Sequence, residues 1–137
     1  MYRLINHALA SKRTTGGFLS IALTAVSVVL ALLLVLTSVR KLGHSEDVVA
    51  SYARAGVPER ALNLLAVILL AAAAGVVSGL WWPILGVITA GCLVCYFLAA
   101  VVLHIRARDY RNLVNPLVFA SLAIAVTSLH LSAAPLG

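Results

Sequence analysis

The sequence predicts an all-α membrane protein, an antiparallel four-helix transmembrane bundle with a short amphipathic interfacial helix between the first and second spans. Three observations predict it. Of the 137 residues, 63% are hydrophobic and 10% charged, with a mean hydropathy of +1.09. Soluble domains run near 45–50% apolar and about 25% charged, and a soluble chain this apolar could not cover its surface with polar groups. The apolar residues gather into four long runs, and no Asp, Glu, Lys or Arg lies at membrane depth in any of them.

Each element follows in order, within one transmembrane domain over residues 1–137. The opening stretch 1–17, "MYRLINHALASKRTTGG", places Tyr2, Ile5 and Leu9 on one side of a helix and is expected to lie in the membrane interface. Gly16-Gly17 would turn the chain into the first span. That span, 18–39, has roughly twice the apolar length of a signal peptide and no small-residue cleavage site behind it. Arg40-Lys41 end it. Within "RKLGHSEDVVASYARAGV", residues 46–55 are expected to form the amphipathic helix. Ser45 is its candidate N-cap, Glu46-Asp47 fill its first turn, and Val48, Val49, Tyr52 and Ala55 share its apolar face before Gly56 stops it.

The second and third spans, 58–80 and 83–105, begin at Pro58 and Pro83, a residue suited to a helix start because its missing N–H has no partner there. Trp81-Trp82 between them suit the membrane–water boundary. The fourth span, 113–131, starts near Pro116 with Asn115 as its candidate cap. Crossing hydrocarbon takes about 20 residues; the first three runs suffice, and the fourth is short. Ser20, Thr24, Ser27, Thr37, Ser38 and Asn63 are expected to hydrogen-bond between helices.

Four spans put both termini on one side. The first and third connections carry Arg40, Lys41, Arg54, Arg60, Arg106, Arg108 and Arg111, against Arg3, Lys12 and Arg13 opposite. The positive-inside rule makes those connections cytoplasmic and the termini external. This placement accounts for the net charge of +6, and it argues against nucleic acid as a partner.

The stretch "VRKLGHSEDVVASYARAGVPERALNLLAVILLAAAAGVVSGLWWP", with "AAVVLHIRARD" closing the third span, resembles the DoxX-like family of small four-helix membrane proteins over roughly residues 18–131. The resemblance implies a bacterial inner-membrane protein, in some cases an accessory subunit of a quinone-linked redox complex. Relatives often carry an acidic residue inside the second span; here "LLAVILLAAAAG" is wholly apolar. A proton-coupled exporter needs an intramembrane carboxylate, so transport by that route is not expected.

Cys92 and Cys95 lie about 14–18 Å past Pro83, near mid-membrane. They are either inert small residues that let helices approach or a redox pair. Apolar burial raises a thiol's pKa, and the chain has no other cysteines to pass electrons on. His104 and His130 fall at opposite faces and cannot share a haem, while His44 and His104 share a face but lack the further ligands a metal needs. No metal is expected. Arg40, Lys41, His104 and Arg106 lie closest to hydrocarbon within a basic interfacial cluster. They read either as solvated anchors or as a pocket for a lipid head group or quinone. Ala71, Gly75 and Gly79 form a small-residue stripe, an internal packing seam or a homodimer face.

The expectation is therefore a non-catalytic accessory or stabilising subunit, partnered by lipids and other transmembrane proteins, with homo-oligomers left open. No cofactor is expected. The alternative is a quinone-linked redox subunit using the basic pocket and the Cys92/Cys95 pair.

Overall fold

A computed structural model describes residues 1–133. Its order is α1 (Tyr2–Leu42), α2 (Glu46–Arg54), α3 (Ala61–Ser78), α4 (Pro83–Arg106), a 3-10 turn (Tyr110–Asn112) and α5 (Val114–Ala133). α1, α3, α4 and the segment leading into α5 are each long and apolar enough to cross a membrane. The expected fold class holds.

α1 lies against α3 and α5, and α4 lies against the same two helices. α1 and α4 are therefore diagonal across a four-membered ring. The packing follows a spacing of three and four residues on every helix. The seam positions are Ser27, Ala31, Leu34, Ser38 and Lys41 on α1, with Leu30 buried beside them, and Leu62, Ala66, Leu69, Ala73 and Val76 on α3. α4 contributes Gly86, Ala90, Leu93, Phe97 and His104, and α5 contributes Pro116, Phe119, Ala123, Val126 and His130. A 3.5-residue repeat is the seam of helices crossing at a shallow left-handed angle. With lipid on the outside, van der Waals packing along this seam holds the helices together.

Local boundaries obey elementary rules. Pro83 opens α4 at its first position, and Gly56 ends the α2 segment with φ +77, a conformation glycine adopts without strain. Trp81 and Trp82 are exposed at the α3–α4 turn.

Five expectations are corrected. α3 begins at Ala61 and not at Pro58, because residues 58–60 form a turn in which the Pro58 and Glu59 carbonyls accept from Ala61 and Leu62. α1 does not turn at Gly16-Gly17; one helix of 41 residues runs from Tyr2 to Leu42. Glycine within a helix costs only about 1 kcal/mol relative to alanine, which weakens a helix without obliging it to bend. Asn115 is not a cap, because α5 begins at Val114, carried back by the preceding 3-10 turn. Ser45 holds the N-cap position of α2, but its side chain makes no capping bond. Ser20, Thr24 and Ser38 donate to carbonyls four residues earlier in α1, a local acceptor always within reach, so they do not bridge helices.

Candidate functional site

The seam decides which basic residues turn inward. Lys41 occupies the last seam position of α1 and is 4% exposed, and His104 occupies the last of α4 and is 8% exposed. Arg40 and Arg106 fall one or two residues off the seam and are exposed. Lys41 and His104 thus both turn inward at one end of the bundle.

Between them lies a cavity of about 270 Å³. α1 lines it with Leu33, Leu36, Thr37, Arg40 and Lys41, and α4 with Tyr96, Phe97, Ala100 and His104. Asn112, Asn115, Pro116 and Phe119 close a third side. α2 covers it with Asp47, Val48, Ser51 and Tyr52, the face whose apolar residues were expected to lie along the membrane surface. Arg106, grouped with the others from sequence, is absent from the lining.

The cavity is two-natured. At its deep side the rings of Phe97 and Phe119 stack with centroids 4.8 Å apart, and Tyr96 meets Phe97 edge-on at 5.0 Å. At its outer side Lys41 Nζ sits 5.3 Å from the centre of the Tyr52 ring. Burial raises the Tyr52 hydroxyl above its ordinary value of 10.0, which keeps it a neutral donor. Lys41 ion-pairs with no carboxylate among the described residues, although Asp47 lines the same space. His104 Nδ1 is buried without a hydrogen-bond partner.

Two polar ties hold α2 in place. Asp109, 9% exposed, accepts from Ser51 Oγ at 3.1 Å and from Arg54 Nη2 at 3.4 Å, while Asn112 Nδ2 donates to both its oxygens at 3.0 Å. The Asn112 bonds, helped by Ser51 and Arg54 and opposed by burial, hold the carboxyl below its ordinary 3.8. At the other end, His44 has φ +47. Its Nδ1 lies 2.8 Å from Glu59 Oε1 and its Nε2 3.0 Å from Asn63 Oδ1. Both partners are acceptors, so only the imidazolium donates to both, and the Glu59 and Asn63 bonds raise the pKa of His44 above 6.5.

The pH consequences have opposite signs. The Asp109 tie contributes fully above 3.8 and is lost as pH falls through the lowered folded value. The His44 tie contributes fully below 6.5 and is lost as pH rises through the raised folded value. Amide exchange of α2, corrected for intrinsic rates, should be slowest between those limits. It should rise first at the 43–45 turn on the alkaline side and across 46–54 on the acid side. Flat protection across the range would contradict both ties.

Cys92 and Cys95 are free and exposed on the outer face of α4. They do not pack helices within the chain, and they are not among the cavity's lining residues. Gly75 and Gly79 do meet α4. A Cβ at Gly75 would press on the Thr89 side chain, and one at Gly79 would run into the backbone of Gly86. Ala71 is exposed. The ring of His130 fills the space beside Gly86.

Tyr96, Phe97, Phe119 and Asp109 were not singled out from sequence, and Tyr52 was read only as part of the apolar face of α2. Tyr96 carried a signal, as the one tyrosine inside a predicted span. Asp109 carried a weaker one, as the single acid in "RARDYRN".

A family model described as the DoxX-like family matches residues 25–126, which takes in α2, α3 and α4 whole, the C-terminal part of α1 and most of α5. No curated protein and no solved structure matches the chain.

Proposed function

The chain belongs to the DoxX-like family, and from that premise we propose that it is a non-catalytic accessory subunit of a membrane complex, holding the polar head of a membrane-soluble molecule in its interfacial cavity. The observation that carries this reading is the cavity itself, polar toward the membrane surface and aromatic toward the bundle centre. Sites for small molecules are concave, mainly apolar and oriented by a few polar groups. Most of each span's surface faces outward, which leaves broad apolar faces for lipids and for the helices of neighbouring subunits. We assign the protein to a bacterial inner membrane, with the basic connections and the cavity cytoplasmic by the positive-inside rule.

A second reading, a quinone-linked redox subunit, is favoured by the stacked Phe97 and Phe119 and by the phenols of Tyr52 and Tyr96 beside them. Cys92 and Cys95 supply no redox pair to that site, since they lie outside its lining.

Purification in mild detergent followed by mass spectrometry of everything that accompanies the chain separates the two. The accessory reading expects partner membrane proteins in fixed proportion. Recovery of the chain alone with bound quinone would overturn it in favour of the second.

A further inference from the structure

The cavity holds one positive charge more than it balances. Arg40 and Lys41 face it with Asp47 as the only lining acid. Lys41 is 4% exposed, with neither a hydrogen bond nor an ion pair among the described residues. Its one favourable contact is the face of Tyr52, and an ammonium held near hydrocarbon without a counter-charge is costly. Across the cavity His104 lines the wall and is more than nine-tenths buried, with its Nδ1 enclosed and without a hydrogen-bond partner.

The dimensions bound what fits. About 270 Å³ falls just below the roughly 300–1,000 Å³ of sites that enclose whole small molecules. It admits a head group and excludes the tails of a lipid. Leu36 lines the cavity and is 58% exposed, so on that side the wall gives onto the bilayer and a hydrocarbon chain can leave there.

We propose that the cavity binds the singly charged anionic head of a membrane amphiphile, a carboxylate or a phosphodiester, with Lys41 as its counter-ion and the His104 side chain in the facing wall. The proposal rests on the head-group reading above and narrows it. A monoanion leaves Arg40, Lys41 and Asp47 balanced. A neutral head such as a quinone leaves Lys41 as it was.

The test is a binding titration of the purified chain in neutral detergent with four probes: oleate, phosphatidylglycerol, phosphatidylcholine and decylubiquinone. Lys41→Met keeps the side chain's length and removes the charge. It should weaken oleate or phosphatidylglycerol roughly 10- to 100-fold, the worth of a charge-assisted contact. Whichever of the two binds tighter identifies the head as carboxylate or phosphodiester. Arg106→Gln removes an exposed charge from the same face and should change affinity by no more than about twofold. Equal losses in the two variants would show general surface attraction and overturn the proposal. Tight binding of decylubiquinone that ignores Lys41→Met and is not displaced by the anions would overturn the anionic assignment while leaving the head-group reading in place. Failure of every probe to bind would overturn both.

Discussion

Gly79→Ala is expected to cost the bundle about 3 kcal/mol, the upper end of what overpacking a tight contact costs. The backbone of Gly79 is ordinary helix at φ −60 and ψ −19, so alanine suffers no conformational strain there. The cost is steric. A Cβ would meet Cα of Gly86 and lie 2.8 Å from its nitrogen, and backbone atoms cannot rotate out of the way. α3 and α4 would have to separate at the closed end of their hairpin. The disturbance would pass on, because Gly86 already rests against the buried ring of His130. Gly75→Ala meets Thr89 Oγ1 at 2.6 Å, a side chain with other rotamers, and should cost less. Gly91→Ala meets nothing within 4 Å and should be neutral or mildly stabilising through helix propensity. Denaturation of the four proteins in mixed micelles tests the ranking. Equal stabilities for Gly79→Ala and Gly91→Ala would refute the close approach of α3 to α4.

That ranking could not be drawn from sequence. All three glycines sit in apolar spans, and only the neighbouring helix tells them apart. The spans themselves were legible because a membrane demands about 20 uninterrupted apolar residues, and α4 starts at Pro83 as expected. The amphipathic helix was legible too, since α2 covers Glu46–Arg54 and its pattern stands out between charged flanks. The seam was not. Around a soluble helix the exposed face is polar and marks the buried one, but here Leu32 and Leu36 face lipid while Leu30 and Leu34 fill the core. Composition alone cannot separate them.

The same blindness limited the site. Arg40, Lys41, His104 and Arg106 look alike as basic or ionisable residues at span ends. The three-and-four spacing carries Lys41 and His104 inward and leaves Arg106 outside. Phe97 and Phe119 stack although 22 positions separate them, a pairing that depends on α4 and α5 lying side by side. Asp109 holds Ser51 and Arg54 across more than 50 residues. These are properties of the ring of helices, and each span taken singly is silent about them.

Lys41→Met carries a second expectation, opposite in sign to its effect on binding. Without ligand, wild type keeps an ammonium with no ion pair among the described residues on a residue that is 4% exposed. Replacing buried ionic groups by apolar side chains of similar volume is often neutral or stabilising, by about 1–4 kcal/mol. The contact with the Tyr52 ring offsets about 0.5–2 kcal/mol of that gain. The ligand-free variant should therefore be more stable by on the order of 1 kcal/mol and melt at a higher temperature in neutral detergent. Adding the preferred anion should reverse the order. A ligand at a hundred times its Kd stabilises the protein that binds it by about 2.7 kcal/mol, a benefit the variant largely loses. Residues retained at a cost to the empty protein are those whose worth appears on binding. A variant that melts lower than wild type in the absence of ligand would mean that Lys41 is already satisfied by the protein, and the cavity would then have no charge left to offer.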